Sequence, residues 1–275
     1  MKVFRLILVL LPVIHSCKKI EPGVHLNLKY GNDARNRMDV YLPELRDSST
    51  ATVLLIHGGG WVAGNKEDWG KENRDLFLNA GYAVAAMNYR YGCGDFNKQM
   101  NDIENAIDLL RSKSTEWNIS NQKIALIGAS AGAHLSLLYG HAFDDEDVVK
   151  TVVSLVGPTD MTDPVFHQYA ENYQIGYVFE ALFGSTFQEN PQLYAAGSPI
   201  FQFSNVPTFF LCGALDDLVP AEQSIRMFDT LTANGIMTDT TIFNNAGHDL
   251  FGPGLVNKDQ TYNELLMWLN THLVD

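Results

Sequence analysis

The amino-acid sequence predicts an α/β protein built on a mostly parallel central sheet flanked by helices. Short apolar runs, such as 52–56 and 124–127, have the length of strands and lack polar alternation, which is typical of strands buried on both faces. Amphipathic helix patterns separate these runs along most of the chain, and such alternation favours parallel strands joined by helices. With 275 residues, 46% of them hydrophobic, the chain is long enough for a sizeable core.

The first elements predict an antiparallel hairpin at the edge of the sheet. Apolar residues alternate over 21–30 and again over 37–43, and the sequence Gly31-Asn32-Asp33 between them is typical of a turn. The further elements predicted before the central motif are a strand over 52–56, a helix over 73–79, a strand over 82–87 and a helix over 96–114.

The second half continues the alternation around one long interruption. The elements predicted there are a helix over 133–141, a strand over 148–156, a strand over 206–212, a helix over 221–231, a strand over 240–243 and a helix over 257–273. Residues 157–204 interrupt the alternation of strands and helices and contain four prolines. We expect these residues to form an inserted cap of short helices within a single domain over 18–275. The aromatic residues of this cap either line an acyl or aryl pocket or pack the cap onto the body.

Residues 124–134 contain the motif on which the predicted function depends. The apolar run leads into Gly128-Ala129-Ser130-Ala131-Gly132, which fits the pattern G-x-S-x-G of a nucleophile elbow, and a helix pattern follows. In such a turn the serine takes a strained backbone conformation, and the glycines two residues before and after it prevent Cβ clashes. The hydroxyl of Ser130 is thereby exposed at the start of a helix, where negative charge is favoured.

A second motif, His57-Gly58-Gly59-Gly60-Trp61, follows directly after the buried strand predicted over 52–56. Three successive glycines let backbone N–H groups point into a cavity without a side chain in the way. Together with Ala131, which follows the candidate nucleophile, Gly59 and Gly60 are the predicted donors of an oxyanion hole. We expect His57 to anchor this loop through hydrogen bonds.

A carboxylate and a histidine complete the candidate site. Asp216 follows the strand predicted over 206–212, and His248 follows the strand over 240–243, so both lie where open α/β sheets place their sites. A serine hydroxyl is a poor nucleophile unless a base such as neutral imidazole takes its proton. A carboxylate then fixes the imidazole tautomer and stabilises the imidazolium. These requirements predict the catalytic residues Ser130, Asp216 and His248.

The order serine, aspartate, histidine is that of the α/β-hydrolase fold. With the elbow and the glycine loop, the chain resembles the α/β-hydrolase family, specifically the bacterial carboxylesterase branch near hormone-sensitive lipase and the acetyl/feruloyl esterases. The resemblance covers roughly residues 35–270. It implies a serine esterase without a cofactor that hydrolyses short-acyl or aryl esters, including esters of carbohydrates, through an acyl-enzyme.

The chain offers two adjacent candidates for the acid, Asp216 and Asp217. Adjacent residues that leave a strand point to opposite sides, so only one of them can face His248. We expect Asp216 to be the acid, because its spacing from Gly213 and Pro220 matches the acid position of the family. Asp217 is expected to face solvent or to cap the helix that follows.

Two alternative functions remain open. An arylformamidase-like amidase also uses a His-Gly-Gly-x-Trp loop and would cleave an amide instead of an ester. A catalytically inactive hydrolase scaffold used for binding typically loses its serine or histidine, whereas this chain keeps Ser130 and His248. We expect no metal site, because the histidines lack ligand spacing, and we expect His134 to serve in packing or capping.

The N-terminus predicts export from a bacterial cell. Lys2 and Arg5 precede the apolar run 6–14, which is typical of a signal peptide. The cysteine that follows resembles the lipobox cysteine of bacterial lipoproteins, so we expect residues 1–17 to form the signal and a lipidated Cys17 to anchor the protein in the cell envelope. An ordinary secretory signal, with a periplasmic or secreted product, and an uncleaved anchor are the alternatives.

Charge and cysteine content restrict the possible partners. The formal net charge is −13 and the chain has no basic run, which argues against nucleic acid and anionic membrane surfaces as partners. Small-molecule or carbohydrate esters are the expected substrates. Cys93 and Cys212 are expected to be buried free thiols, with a single disulfide between them as the alternative in an exported protein.

Overall fold

The computed structural model describes residues 23–250 and 258–273, so the predicted signal with Cys17 lies outside the described residues. Within these residues one sheet is formed by the strands β1 Gly23–Lys29, β2 Arg37–Leu42, β3 Thr52–Ile56, β4 Ala83–Met87, β5 Ile124–Ala129, β6 Val149–Leu155, β7 Thr208–Gly213 and β8 Thr238–Phe243. Their order in space is β1-β2-β4-β3-β5-β6-β7-β8. β2 is antiparallel to both neighbours and the other pairs are parallel, which confirms the mostly parallel sheet with a hairpin at its edge.

Helices cover both faces of the sheet. The α-helices of the described part are α1 Gly70–Asn79, α2 Asn97–Trp117, α3 Ala131–Ala142, α4 Pro164–Asn172, α5 Tyr177–Phe183, α6 Pro191–Ala196, α7 Ala221–Ala233 and α8 Lys258–Leu273. Apolar side chains of α1 and α8 pack on one face, and those of α2, α3 and α7 pack on the other. In β3, Val53 and Leu55 point to the first face while Leu54 and Ile56 point to the second, as the predicted burial on both faces requires.

Several predicted helix boundaries differ from the observed ones. The predicted end of α2 at 114 is wrong, because Ser114 and Trp117 are still buried and the helix ends only where Asn118 takes the left-handed conformation, with φ of 54°. α1 begins at Gly70 and not at Asn73. α3 begins directly after the serine of the elbow, so the residue after the candidate nucleophile is already helical.

The predicted cap residues between β6 and β7 are held to α7 by polar contacts, some of them buried. The side-chain carbonyl of Gln223 accepts hydrogen bonds from the backbone N–H groups of Thr159 (2.9 Å) and Asp160 (2.8 Å). The guanidinium of Arg226 pairs with Asp160 and with Asp163, the latter at 2.9 Å. Asp163 also caps the N-terminus of α4. These contacts fix where the cap leaves the sheet.

Both described cysteines are free thiols, in agreement with the expected absence of a disulfide. Cys212 is buried in β7, but Cys93 is only half-buried, so the expectation of two buried thiols is wrong for Cys93. The loop that carries Cys93 contains two glycines in left-handed conformations and runs over the surface, which leaves the sulfur partly exposed. Across residues 23–250 and 258–273, no helix combines the length and the apolar character needed to cross a bilayer.

Candidate active site

Ser130 lies on a sharp turn between β5 and α3. Its φ of 53° and ψ of −118° form a conformation that non-glycine residues rarely adopt. A Cβ on Gly128 would lie 2.2 Å from the carbonyl oxygen of Gly132, and a Cβ on Gly132 would lie 2.1 Å from that of Ile56. Both distances are far below van der Waals contact. The two glycines that flank the serine are therefore required by the close approach of β3, β5 and α3.

Asp216 follows β7 and its carboxylate is completely buried. Its Oδ1 atom accepts hydrogen bonds from the backbone N–H groups of Leu218, at 3.0 Å, and Val219, at 2.8 Å. A Cβ on Gly213 would lie 2.3 Å from the carbonyl oxygen of Ala246. Because residue 213 is glycine, the loop after β7 packs directly against the loop after β8.

His248 bridges the predicted acid and the predicted nucleophile. Its Nδ1 atom lies 2.8 Å from Asp216 Oδ2, and its Nε2 atom lies 2.9 Å from Ser130 Oγ. A carboxylate can only accept, so Nδ1 carries the proton and Nε2 accepts from the serine hydroxyl. The fold thus brings together three residues that are 118 and 32 positions apart in the sequence.

Asp217, the second candidate for the acid, points away from His248. Its side chain is exposed and accepts a hydrogen bond from the hydroxyl of Tyr173, which follows α4 in the cap. The exposure of Asp217 was expected from the sequence, whereas its contact with the inserted cap was not. Asp217 does not serve as the N-cap of α7. The hydrogen bond to Asp217 raises the pKa of Tyr173, because the phenol can donate it only in its protonated form.

His57 anchors the glycine loop, as expected from the sequence. Its Nδ1–H donates to the carbonyl oxygen of Gly58 at 2.7 Å, while Nε2 accepts from the guanidinium of Arg35 at 3.3 Å. The ring stacks on Tyr89, with centroids 4.3 Å apart. Burial is the main cause that lowers the pKa of His57 to about 4, and the nearby Arg35 charge contributes to this shift, so the imidazole is neutral at pH 7.

Arg35 supports the same loop and was missed by the sequence analysis. Its guanidinium also donates to the carbonyl oxygens of Gly64 (3.1 Å) and Tyr89 (2.7 Å) and lies 3.5 Å from the ring centre of Tyr91. These partners are 29 to 56 positions away in the chain. Arg35 follows a turn and belongs to no motif, so no sequence signal indicated its role.

The predicted oxyanion donors lie beside Ser130 at the wall of one pocket. Gly59 and Gly60 have φ angles of 108° and 56°, conformations that favour glycine. A Cβ on Gly58 would lie 3.4 Å from the Cβ of Ser130, so the loop packs against the elbow. Ala131 is the first residue of α3, and helix geometry leaves its N–H without a partner inside the helix.

This pocket has a volume of about 620 Å³ and mostly apolar walls. The glycine loop, the elbow, the cap and the loops after β7 and β8 contribute its lining, which includes Trp61, Val62, Ala129, Leu155, Val156, Pro158, Phe166, Ala170, Ile175, Tyr177, Val178, Phe179, Leu218, Val219, Asp249 and Leu250. Three predicted cap aromatics, Phe166, Tyr177 and Phe179, therefore line the pocket. By contrast, Phe183 packs edge-on against Phe96, which precedes α2 in the body, with ring centroids 5.8 Å apart. Both alternatives for the cap aromatics therefore occur.

Two other buried histidines make structural hydrogen bonds. His134 lies between Trp61 and Gly197, and the Nε2 of His141 lies 2.9 Å from the hydroxyl oxygen of Thr208. Burial lowers the pKa of each imidazole to about 4. In the part of the chain that the structure describes, no three His, Cys, Asp or Glu side chains are arranged to hold a metal ion.

The buried histidines predict a loss of stability in weak acid. The pKa values of His57, His134 and His141 fall from 6.5 to about 4 on folding, so the unfolded state binds more protons between these values. Stability is fully present above pH 6.5 and is lost as the pH falls toward 4, by roughly 1.4 kcal/mol per pH unit for each histidine. Urea unfolding between pH 7.5 and 4.5 measures this slope. His141→Gln should make it shallower, and a free energy of unfolding that stays constant over the range would contradict the prediction.

Residues 38–231, more than half of the chain, match the BD-FAE family. The chain belongs to the BD-FAE family. The matched region runs from β2 into α7 and contains the glycine loop, Ser130 and Asp216. It ends before His248, so the contact of His248 with Ser130 and Asp216 rests on the geometry of this BD-FAE protein.

Named relatives of this BD-FAE protein are esterases. A probable isoprenylcysteine alpha-carbonyl methylesterase from Oryza sativa is 25% identical over 240 residues, which are 81% of this chain and 56% of that protein. The acetylxylan esterase of Xylanibacter ruminicola is 23% identical over 249 residues, which are 89% of this chain and 50% of that protein. The chain thus spans about half the length of these curated relatives.

Solved esterase structures share the fold of this BD-FAE protein. A truncated form of a carbohydrate esterase from gut microbiota superposes with a TM-score of 0.73 at 22% identity, covering 91% of this chain and 98% of that chain. At such identity the likeness concerns the fold alone. Together with the strand order, it confirms the predicted α/β-hydrolase fold.

Proposed function

We propose that the chain is a serine carboxylesterase that hydrolyses short-acyl or aryl esters through an acyl-enzyme. The observation that carries the proposal is the line of contacts from Asp216 to His248, at 2.8 Å, and from His248 to Ser130, at 2.9 Å. These distances put a neutral imidazole within reach of the hydroxyl proton. Ser130 and His248 lie at the wall of a largely apolar pocket, which gives an ester room beside Ser130.

In acylation, His248 Nε2 takes the proton of Ser130 while Oγ attacks the carbonyl carbon of the ester. Negative charge develops on the carbonyl oxygen, and the N–H groups of Gly59, Gly60 and Ala131 donate to it. The positive end of the α3 dipole lies at the same place and adds to this stabilisation. The imidazolium then gives its proton to the leaving alcohol as the C–O bond breaks, which leaves the acyl group on Ser130.

In deacylation, His248 takes a proton from water, and the oxygen of that water attacks the acyl carbon. Ser130 Oγ leaves and recovers the proton from the imidazolium, so the enzyme returns to its starting state with one carboxylic acid released. Asp216 stabilises the imidazolium in both steps. Its second oxygen is held by two backbone N–H groups, so the carboxylate does not rotate away from His248.

The pocket supports a small acyl or an aryl group as the part of the substrate next to Ser130. Its volume of about 620 Å³ holds an aromatic ring, and Trp61, Phe166 and Phe179 offer apolar contact. The helices α4, α5 and α6 span nine, seven and six residues, lengths that suit a short cap more than a lipase lid. The similarity to an acetylxylan esterase supports an acylated carbohydrate as the whole substrate, with its sugar outside this pocket.

A series of p-nitrophenyl esters from two to twelve carbons tests the substrate class. We expect kcat/KM for acetate and butyrate to exceed that for chains of ten or more carbons by roughly tenfold or more. The reason is that a long acyl chain does not fit the pocket under a short cap, so its methylenes do not make the apolar contacts that a fitting acyl group makes. Methyl ferulate and acetylated xylo-oligosaccharides extend the series to aryl and carbohydrate esters. A maximum at decanoate or longer would contradict the proposed short-acyl preference.

An arylformamidase-like activity is the second candidate. It is favoured by the loop His57-Gly58-Gly59-Gly60-Trp61 and by the aromatic walls of the pocket. Formanilide and phenyl acetate present the same ring with an amide and an ester. A higher kcat/KM for formanilide would favour the amidase, whereas turnover of neither substrate by the folded protein would favour a binding scaffold.

We also propose that Cys17 attaches the protein to the bacterial cell envelope through lipid. The support is the sequence around Cys17, and three acyl chains on one cysteine would hold the protein where one chain binds only marginally. We expect fractionation of a bacterial host to place the full chain in membranes and Cys17→Ser to release it or to block its processing. Recovery of both forms in the soluble periplasm would instead indicate an ordinary signal peptide.

A further inference from the structure

Trp61 ends the glycine loop in a backbone conformation that a bulky residue rarely adopts. Its φ is 61°, and it follows two glycines that also have positive φ angles. Such a conformation persists only where the surrounding structure holds it. Trp61 as a whole is 2% exposed and contributes to the pocket wall. Whatever holds Trp61 therefore also determines the direction of the N–H groups just before it.

His134, one turn into α3, holds this ring. The indole Nε1–H of Trp61 donates to His134 Nδ1 at 3.2 Å, and the two rings meet at 85° with centroids 5.2 Å apart. An indole only donates, so Nδ1 is the acceptor and Nε2 carries the proton. Complete burial lowers the pKa of His134 to about 4 and keeps the ring in this neutral form.

The other nitrogen of His134 contacts the end of the cap. Nε2–H donates to the carbonyl oxygen of Gly197, which follows α6, at 2.7 Å. A Cβ on Gly197 would lie 2.4 Å from the Phe183 ring, so the cap backbone is packed tightly there. The backbone N–H of His134 donates to the carbonyl oxygen of Ser130 at 3.0 Å. One residue thus joins the elbow, the glycine loop and the cap.

We propose that His134 is a positioning residue that fixes the oxyanion donors Gly59 and Gly60 relative to Ser130 and links them to the cap. This inference rests on the proposed esterase function. His134 acts through Trp61 and is absent from the pocket lining of the described residues. Its two nitrogens have separate tasks, because Nδ1 holds the glycine loop and Nε2 holds the cap.

Two substitutions at residue 134 separate these tasks. His134→Asn keeps an acceptor near the Nδ1 position and loses the reach to Gly197, whereas His134→Gln keeps a donor near the Nε2 position and loses the acceptor for Trp61. For His134→Gln we expect kcat on p-nitrophenyl acetate to fall roughly 10- to 100-fold with KM within about threefold, and phosphonylation by a fluorophosphonate to slow by the same factor. For His134→Asn we expect kcat within about threefold and a KM for aryl esters raised about tenfold.

Trp61→Phe tests the same contact from the other side. It keeps an aromatic ring and removes the N–H donor, so it should reproduce the fall in kcat of His134→Gln. The double variant that combines both substitutions should have a kcat no lower than that of either single variant. Equal kcat values for wild type and His134→Gln would overturn the role of His134. Additive effects of the two substitutions would also overturn it.

His141→Gln is the matched control for stability. His141 is another buried histidine in α3, and its partners Thr208 and Ser204 lie outside the pocket. For His141→Gln we expect a loss of stability in urea similar to that of His134→Gln, but a kcat within about twofold of wild type. If His141→Gln lowers kcat as much as His134→Gln, the effect is general destabilisation and the inference fails. A folded wild type that turns over no ester would instead refute the proposed function itself.

Discussion

Ser130→Ala is expected to lower kcat for ester hydrolysis by about 10⁴-fold or more. Ser130 Oγ is the atom that His248 Nε2 contacts at 2.9 Å, and without it no acyl-enzyme can form. The remaining activity would come from oxyanion contacts and binding alone. Initial rates with p-nitrophenyl acetate measure the loss, and a fluorophosphonate should label the wild type but not the variant.

Ser136→Ala provides a matched control in the same helix. Ser136 is fully buried in α3, and its hydroxyl donates to the carbonyl oxygen of Gly132 at 2.8 Å. Its removal tests whether loss of any buried hydroxyl near the elbow impairs turnover. We expect kcat within about threefold of wild type, the size of a lost hydrogen bond. Ser130→Ala turnover within tenfold of wild type, or persistent labelling of it, would refute the assigned nucleophile.

Asp216→Asn is expected to lower kcat by roughly 10³- to 10⁴-fold. The amide oxygen can keep the hydrogen bonds from the N–H groups of Leu218 and Val219, so the loop should retain its shape. The amide nitrogen then faces His248 Nδ1 as a donor and forces the imidazole proton onto Nε2. In that tautomer the imidazole cannot take the proton of Ser130.

Asp217→Asn is the control for this change. Asp217 is exposed and accepts from the hydroxyl of Tyr173, a bond that an amide oxygen can also accept. Because this bond can persist, we expect kcat to change by less than about tenfold, which is the upper limit for complete loss of one hydrogen bond. If Asp217→Asn showed the larger effect, the acid would be Asp217 and the geometry of the loop after β7 would differ in solution.

The features that the sequence could predict are those whose cause is local or chemically obligatory. Continuous apolar runs such as 52–56 have no polar face, so they indicate strands buried on both sides and hence the parallel sheet. Gly128 and Gly132 were predictable because the turn that exposes Ser130 leaves no room for a Cβ at either position. The order of the three candidate residues along the chain then indicated which strand ends should meet.

The features that escaped prediction depend on contacts between distant segments. Arg35 reaches His57 and Gly64 only after the hairpin has packed beside the glycine loop. His134 was expected to pack or cap, but its two hydrogen bonds to Trp61 and Gly197 depend on the placement of the cap. Periodicity records which side of an element is apolar, and it holds no information about such long-range polar partners.

Covalent catalysis at Ser130 is tested most directly by locating the adduct of a fluorophosphonate on the wild-type protein. After complete inhibition, intact-mass measurement and peptide mapping should find one phosphonyl group, attached to Ser130, with turnover lost in proportion to labelling. An adduct on another residue would contradict the proposed mechanism. Full esterase activity with Ser130 occupied would contradict it as well.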